Sequence, residues 1–209
     1  MTQVIKSGIP KTRIESLTDL IFGLALSIGA VSLLSKPPLS TADVMADLWG
    51  FGFSFLILIS IWFRYTNIMS VHPVETSGTI FLNAVLLFLV SIEPYLLSLL
   101  TFGSFQPSRV AVMNFASEVY ALDLAGLTLI MGLFADQLTN KERKLVNPEL
   151  VGRYRRIRNL EYSAAAMFAV TTLPAFWSWE IIGTPARFYL WYAILVFTWA
   201  SRLSGRSKR

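Results

Sequence analysis

The chain has 209 residues, of which 54% are hydrophobic and only 15% charged, with a mean hydropathy of +0.56. Soluble domains carry about a quarter charged residues, so the composition points to a membrane protein. The lack of cysteine excludes a disulfide, a thiolate metal site and a cysteine nucleophile; the single histidine, His72, argues against a histidine-rich metal site; and the net charge of +5 asks which side of a membrane holds the cations.

Spanning helices need about 20 mainly apolar residues. The first such run covers about 14–34 and ends in a double proline, Pro37-Pro38. Pro10, Lys11, Arg13 and Glu15 precede it and no small-residue cleavage site closes it, so a retained helix is expected rather than a signal peptide. Further runs follow at about 44–69, 79–100, 109–134, 160–177 and 185–203, the fifth being the least apolar. The stretch 135–159 is polar and basic, and a cytoplasmic loop is expected there. The fold class expected is therefore all-α: one polytopic transmembrane domain over 1–209 with six spanning helices.

Orientation follows from the cations. With the N-terminus inside and six spans, every Lys and Arg falls on the cytoplasmic side except Lys36, Arg109 and Arg187. Five or seven spans would break this sorting. A cell-membrane protein with both termini cytoplasmic is expected. The run Arg153-Tyr154-Arg155-Arg156-Ile157-Arg158 reads as a juxtamembrane anchor for anionic lipid, and the membrane context argues against nucleic acid.

The first helix carries the most information. Leu24, Ser27, Ile28 and Val31 share one face by i+3, i+4 and i+7 spacing, an apolar surface with one hydroxyl. Gly23, Ala25, Gly29 and Ala30 flank it, and small residues let helix backbones approach closely in a membrane. Asp19 lies about one turn inside the boundary, where a carboxylate is costly and faces a partner or a cavity. Two roles stay open for it: a bond to a neighbouring helix with Arg13 snorkelling to the interface, or direct contact with an ion. If this helix surrounds a symmetry axis, its apolar face makes a constriction that gates by dewetting, and Ser27 adds a ring of oxygens suited to partly dehydrated alkali cations.

These residues resemble the transmembrane protein 175 family of endosomal and lysosomal potassium channels and their prokaryotic relatives. The family's first helix carries Arg, three residues, then Phe-Ser-Asp; this chain has Arg13, then Leu17-Thr18-Asp19. The second helix carries Trp with His three positions on, matched by Trp62 with Tyr65 in the His position. The third reads Asn, an apolar run, then Pro-Phe, matched by Asn83 and Pro94 with Tyr95 in the Phe position, and the fourth often has Tyr-Ala, matched by Tyr120-Ala121. The resemblance implies a homotetramer of six-helix subunits in the lipid bilayer, with the first helices lining a central pore and no re-entrant selectivity loop. Its narrow constriction maps onto Leu24, further apolar pore positions onto Ile28 and Val31, and its hydroxyl layer onto Ser27. Trp62, Tyr65 and Asn83 are then the network holding Arg13 and Asp19. The implied function is a potassium-preferring cation channel without cofactor, whose only metal is permeating potassium at Leu24 and Ser27.

Other polar residues are weighed more plainly. Glu93, before Pro94, is expected to be an interfacial cap near the outer end of the third helix, with an outer-vestibule cation attractor as the alternative. Glu118 and Asp123 are five residues apart and share no face, which argues against a paired-carboxylate acid/base site. The aromatics are expected mostly in belts or facing lipid. No nucleophile–base pair, metal spacing or phosphate loop supports an enzyme. The competing reading is a small ion-coupled secondary transporter using an intramembrane carboxylate: Asp19, Glu118 or Asp123.

Overall fold

The computed structural model describes residues 11–33, 40–72, 76–100, 110–140, 145–181 and 184–204. Of the cations used for orientation, Lys6, Lys36, Arg109, Lys141, Arg143, Lys144, Arg206, Lys208 and Arg209 lie outside these. The chain order is α1 (Lys11–Ser32), α2 (Thr41–Met69), α3 (Ser77–Leu99), α4 (Val110–Thr139), α5 (Pro148–Val170), a short α6 (Ala175–Ser178), a two-stranded hairpin of β1 (Glu180–Ile181) and β2 (Thr184–Pro185), and α7 (Ala186–Ser204). The fold class is all-α, and among the described residues four helical segments are long and apolar enough to cross a membrane: Arg13–Val31, Thr41–Met69, Ser77–Leu99 and Val110–Thr139.

Local chemistry sets the helix starts. The Ser40 side chain accepts from the Asp43 N–H at 3.2 Å, and Asp43 sits in the first turn of α2, where a negative charge meets the positive end of the helix dipole. Thr76 caps α3 by accepting from the Thr79 N–H at 3.3 Å. Pro148 occupies the start of α5, a position that needs no backbone donor.

Helix α4 is the centre of the molecule. Tyr120, Ala121, Leu127, Met131, Phe134 and Ala135 are all fully buried on it, between α3 and α2 on one side and α5 on the other. The α4–α5 contact is close because Gly132 lies under Tyr162; a Cβ there would fall 2.5 Å from the Tyr162 ring. Ala164 and Ala165 bury small side chains on the facing helix. Helix α1 packs on the far side of this stack, against α3 and α2, whereas α7 packs on α5.

The region from 135 to 185 differs from the sequence expectation. The stretch 135–159, read as a loop, is helical at both ends: α4 continues to Thr139, and α5 already starts at Pro148. Arginine is a good helix former, so the basic run extends the helix rather than interrupting it. The fifth helix in turn ends at Val170, and 171–185 forms turns, α6 and the hairpin. Helices α5 and α7 do not reach the hydropathy of a span: α5 carries four arginines between Arg153 and Arg158, and α7 is rich in Tyr and Trp.

Arg187 holds this region together. Fully buried at the start of α7, it donates from Nε to the Thr171 carbonyl at 2.7 Å and from Nη2 to the Thr172 carbonyl at 3.2 Å. A cation thus sits on the negative C-terminal end of α5. Its Nη1 donates to Ser117 Oγ at 2.6 Å, and Glu118 lies 3.7 Å from Nη2. Glu118 therefore faces the Arg187 guanidinium of α7.

The aromatics also depart from expectation. Trp191, Tyr120, Phe53 and Phe134 are buried, and Phe53, Tyr120, Tyr192 and Trp191 form one ring cluster, with Phe53 and Tyr192 centroids 4.4 Å apart. Trp49, Trp179 and Trp199 do lie at the surface.

Candidate pore helix and its supporting network

Two faces of α1 differ sharply. Ile14, Thr18, Phe22, Ala25 and Gly29 are buried against the rest of the chain, with Gly29 3.6 Å from the Phe51 ring. Opposite them, Leu17, Leu20, Leu24, Ile28 and Val31 are 47–67% exposed, and Ser27 is exposed among them. The four positions grouped by spacing (Leu24, Ser27, Ile28, Val31) thus lie on one uncovered stripe. Leu20 was not singled out in the sequence; its position one turn before Leu24 is the signal that extends the stripe.

The Ser27 hydroxyl donates to the Gly23 carbonyl at 2.8 Å. Its proton is spent inside the helix, so the oxygen presents lone pairs outward along the stripe. The small residues divide: Ala25 and Gly29 serve packing, while Gly23 and Ala30 are exposed.

The residues matched to the family motif converge at the start of α1. Thr18 is the hub. It donates to the Ile14 carbonyl at 2.8 Å, lies 3.2 Å from the Tyr65 hydroxyl of α2, and accepts from Asn83 Nδ2 of α3 at 3.5 Å. Next to it, Asp19 Oδ1 accepts from Trp62 Nε1 at 2.8 Å. Three helices are therefore tied by polar contacts through residues 18, 19, 62, 65 and 83. Leu17 turns the other way, into the exposed stripe, and Arg13 is exposed at the helix entrance. Tyr65 also lies near Phe22 and Phe134, at 6.4 and 6.2 Å between centroids, so its ring belongs to the core and its hydroxyl to the network.

A second polar cluster lies within the bundle. Glu93 is fully buried, not an interfacial cap: Ser54 Oγ donates to one carboxylate oxygen at 2.6 Å and Tyr120 OH to the other at 2.8 Å. Neither donor was assigned this role from sequence, because α2 and α4 supply them from distant positions. Asp123, one turn beyond Tyr120, is also buried, and among the described residues neither of its oxygens has a hydrogen-bond partner. The described residues hold no group of three or more His, Cys, Asp or Glu side chains able to bind a metal.

Towards the end of α2, Glu161 of α5 is fully buried between Arg64 of α2 at 2.5 Å and Arg202 of α7 at 2.7 Å. This triad joins three helices and was not legible in the sequence, where Glu161 follows the arginine-rich run. His72 is buried and bonds Gln137 through Nε2 at 2.8 Å, with Thr79 donating to the same amide oxygen at 3.0 Å.

Fold and site together define an all-α membrane protein whose N-terminal helix is held by polar contacts on one face and left bare on the other. The sequence model of the family described as endosomal/lysosomal potassium channel TMEM175 matches residues 13–94, which contain most of α1, all of α2 and most of α3. A protein of Marivirga tractuosa named potassium channel is 28% identical over 116 residues, 54% of this chain; the chain covers 41% of that relative's length. Among solved structures, the fold is similar to a lysosomal potassium-selective channel TMEM175 homologue from Chamaesiphon minutus, with a TM-score of 0.61, 17% identity and coverage of 95% of this chain and 98% of that one. It is also similar to a variant of the potassium channel MtTMEM175 in complex with a nanobody fusion, with a TM-score of 0.64, 19% identity and 99% coverage of both chains.

Proposed function

We propose that this chain is the subunit of a potassium-preferring cation channel, in which four copies bring their α1 helices around one axis. The observation that carries the reading is the two-faced α1: one side bonded and packed to α2 and α3, the other an uncovered stripe of Leu17, Leu20, Leu24, Ser27, Ile28 and Val31. This stripe recurs at the three-and-four spacing that keeps side chains facing a shared axis between packed helices. A face meant for lipid alone has no need of a hydroxyl in its middle.

In this reading Leu24, Ile28 and Val31 form successive apolar rings. Water leaves a narrow ring of this kind readily, so the ring closes to ions without a moving plug. Ser27 supplies four hydroxyl oxygens whose lone pairs take the place of part of a potassium ion's hydration. The contacts Thr18–Tyr65, Thr18–Asn83 and Asp19–Trp62 set the rotation of α1 and so aim these rings; Arg13 adds a cation at the entrance. No re-entrant loop and no cofactor enter the mechanism. The subunit spans the membrane six times, α5 and α7 included, with both termini in the cytoplasm and the basic residues of α5 at the anionic headgroups. The family match and the fold likeness support the channel class.

Potassium flux into liposomes tests this. Purified protein passes potassium down its gradient with no co-substrate, and Leu24→Ala, which widens the ring, changes conductance or the potassium-to-sodium ratio. Flux that does not respond to Leu24→Ala contradicts the constriction.

A second reading is favoured by Asp123, whose buried carboxylate near Glu93, without a hydrogen-bond partner among the described residues, is the kind of group an ion-coupled transporter uses. The channel reading requires that Asp123→Asn leave downhill flux in place. Flux that needs a coupled proton or organic substrate, and that Asp123→Asn abolishes, selects the transporter.

A further inference from the structure

Helices α5 and α7 leave an open groove of about 290 Å³ between them, lined by Arg156, Asn159, Leu160, Ser163, Phe197 and Ser201. Its polar residues fall at 156, 159 and 163, one face of α5 by helical spacing. Their hydrogen-bonding state is one-sided. Arg156 Nη2 donates to the Ser201 carbonyl at 3.1 Å, which leaves the other guanidinium donors uncommitted among the described residues. The Asn159 Oδ1 is taken by Arg158 at 3.0 and 3.1 Å, so its amide offers N–H groups. Ser163 adds a hydroxyl.

Among the described residues that line the groove there is no carboxylate. Nearby Glu161 is committed to Arg64 and Arg202, and Asp136 to Arg158 at 2.9 Å. The other wall is apolar: Leu160 and Phe197, the latter 52% exposed and flanked on α7 by exposed Val196 and Trp199.

We infer that this groove binds one anionic phospholipid, with its phosphate on Arg156, Asn159 and Ser163 and an acyl chain along Leu160 and Phe197. A free phosphate would satisfy the donors and leave the apolar wall bare, whereas phosphatidylcholine brings the same phosphate with a quaternary ammonium that offsets the charge the arginine meets. The inference rests on α5 and α7 bordering lipid and extends the general attraction of the basic run to one defined site. It is independent of whether α1 conducts ions.

The test is native mass spectrometry of the purified full chain in detergent, titrated with phosphatidylglycerol or phosphatidylcholine of matched chains. Phosphatidylglycerol is expected to be retained about fivefold better, the scale of one arginine near an anionic headgroup. Arg156→Gln is expected to remove that preference, and Ser163→Phe, an exposed position that fills the groove, to lower retention of the lipid while keeping the arginine. Arg155→Gln, on the same basic run but outside the groove, is expected to keep it. Equal retention of the two lipids overturns the inference. So does a loss as large in Arg155→Gln as in Arg156→Gln, which means diffuse charge, or normal retention in Ser163→Phe. Liposome flux of the same variants reports separately on the channel.

Discussion

Thr18 is a modest residue in an apolar helix, yet three groups meet at its hydroxyl. Intrahelical donation to the Ile14 carbonyl fixes the proton, which leaves the oxygen to receive Asn83, while Tyr65 approaches from α2. Hydrogen bonds of this kind between membrane helices average only about 0.6 kcal/mol and reach about 1.7 kcal/mol. Asn83 raises the stake, because its Oδ1 is already buried without a partner among the described residues. Thr18→Val keeps the shape and removes the hydroxyl. It is expected to lower the stability of the detergent-solubilised protein by roughly 1–2 kcal/mol, read by thermal unfolding, whereas Leu17→Ala on the exposed face is expected to change it little. Equal loss in both variants would mean that the network holds nothing. At this scale the family resemblance was informative: its motif from Arg13 to Asp19 pointed to these residues, and Trp62, Tyr65 and Asn83 were matched to them as supports. What spacing could not give was the division of labour, with Thr18 rather than Asp19 as the hub. That depends on which side of α1 meets α2 and α3.

Among the elements, α5 departs furthest from its sequence signal. Its first half reads as a basic loop on hydropathy alone. A 3.6-residue pattern was nevertheless present, with Tyr154, Ile157, Glu161, Ala164, Ala165 and Phe168 all on the inward face. Glu161 hid it, because a carboxylate in a core position weakens an apolar pattern. The structure supplies the compensation: Arg64 and Arg202 close on it from two other helices. Arg187 and the α5 carbonyls are a similar case, in which a buried cation is matched by partners that no local pattern announces. Removing one member of a buried ionic group is strongly destabilising, since the others lose their counter-charge. Glu161→Gln is therefore expected to cost about 3–5 kcal/mol, more than any single hydrogen bond in the network at Thr18. Thermal unfolding of the detergent-solubilised protein would reveal it. Glu161→Gln as stable as the parent would mean that the triad contributes no net stabilisation.

For the whole molecule, the arrangement has a polarity. Helix α1 packs on α2 and α3 with its other face bare, α4 fills the middle, and α5 lies across α4 with α7, whose Trp191 and Tyr192 reach Tyr120 and Phe53. Such a subunit has one edge suited to a symmetry axis and another suited to lipid, which is how the channel reading and the lipid groove fit the same chain. The long helices and the uncovered face of α1 were legible from hydropathy and spacing. The assembly was not, since a single chain does not encode its symmetry in any local pattern, and the same leucines would serve a lipid-facing helix.

The chain has no cysteine, so a single introduced thiol reports without background. The decisive measurement is potassium flux through liposomes containing Leu24→Cys, before and after a charged, water-borne methanethiosulfonate, with Val196→Cys of α7 as the control. A conducting α1 axis predicts that the reagent blocks Leu24→Cys and spares Val196→Cys. Flux through Leu24→Cys that the reagent leaves untouched, with the thiol reached only by a lipid-soluble maleimide, would put the leucine in the acyl chains and contradict a pore lined by α1.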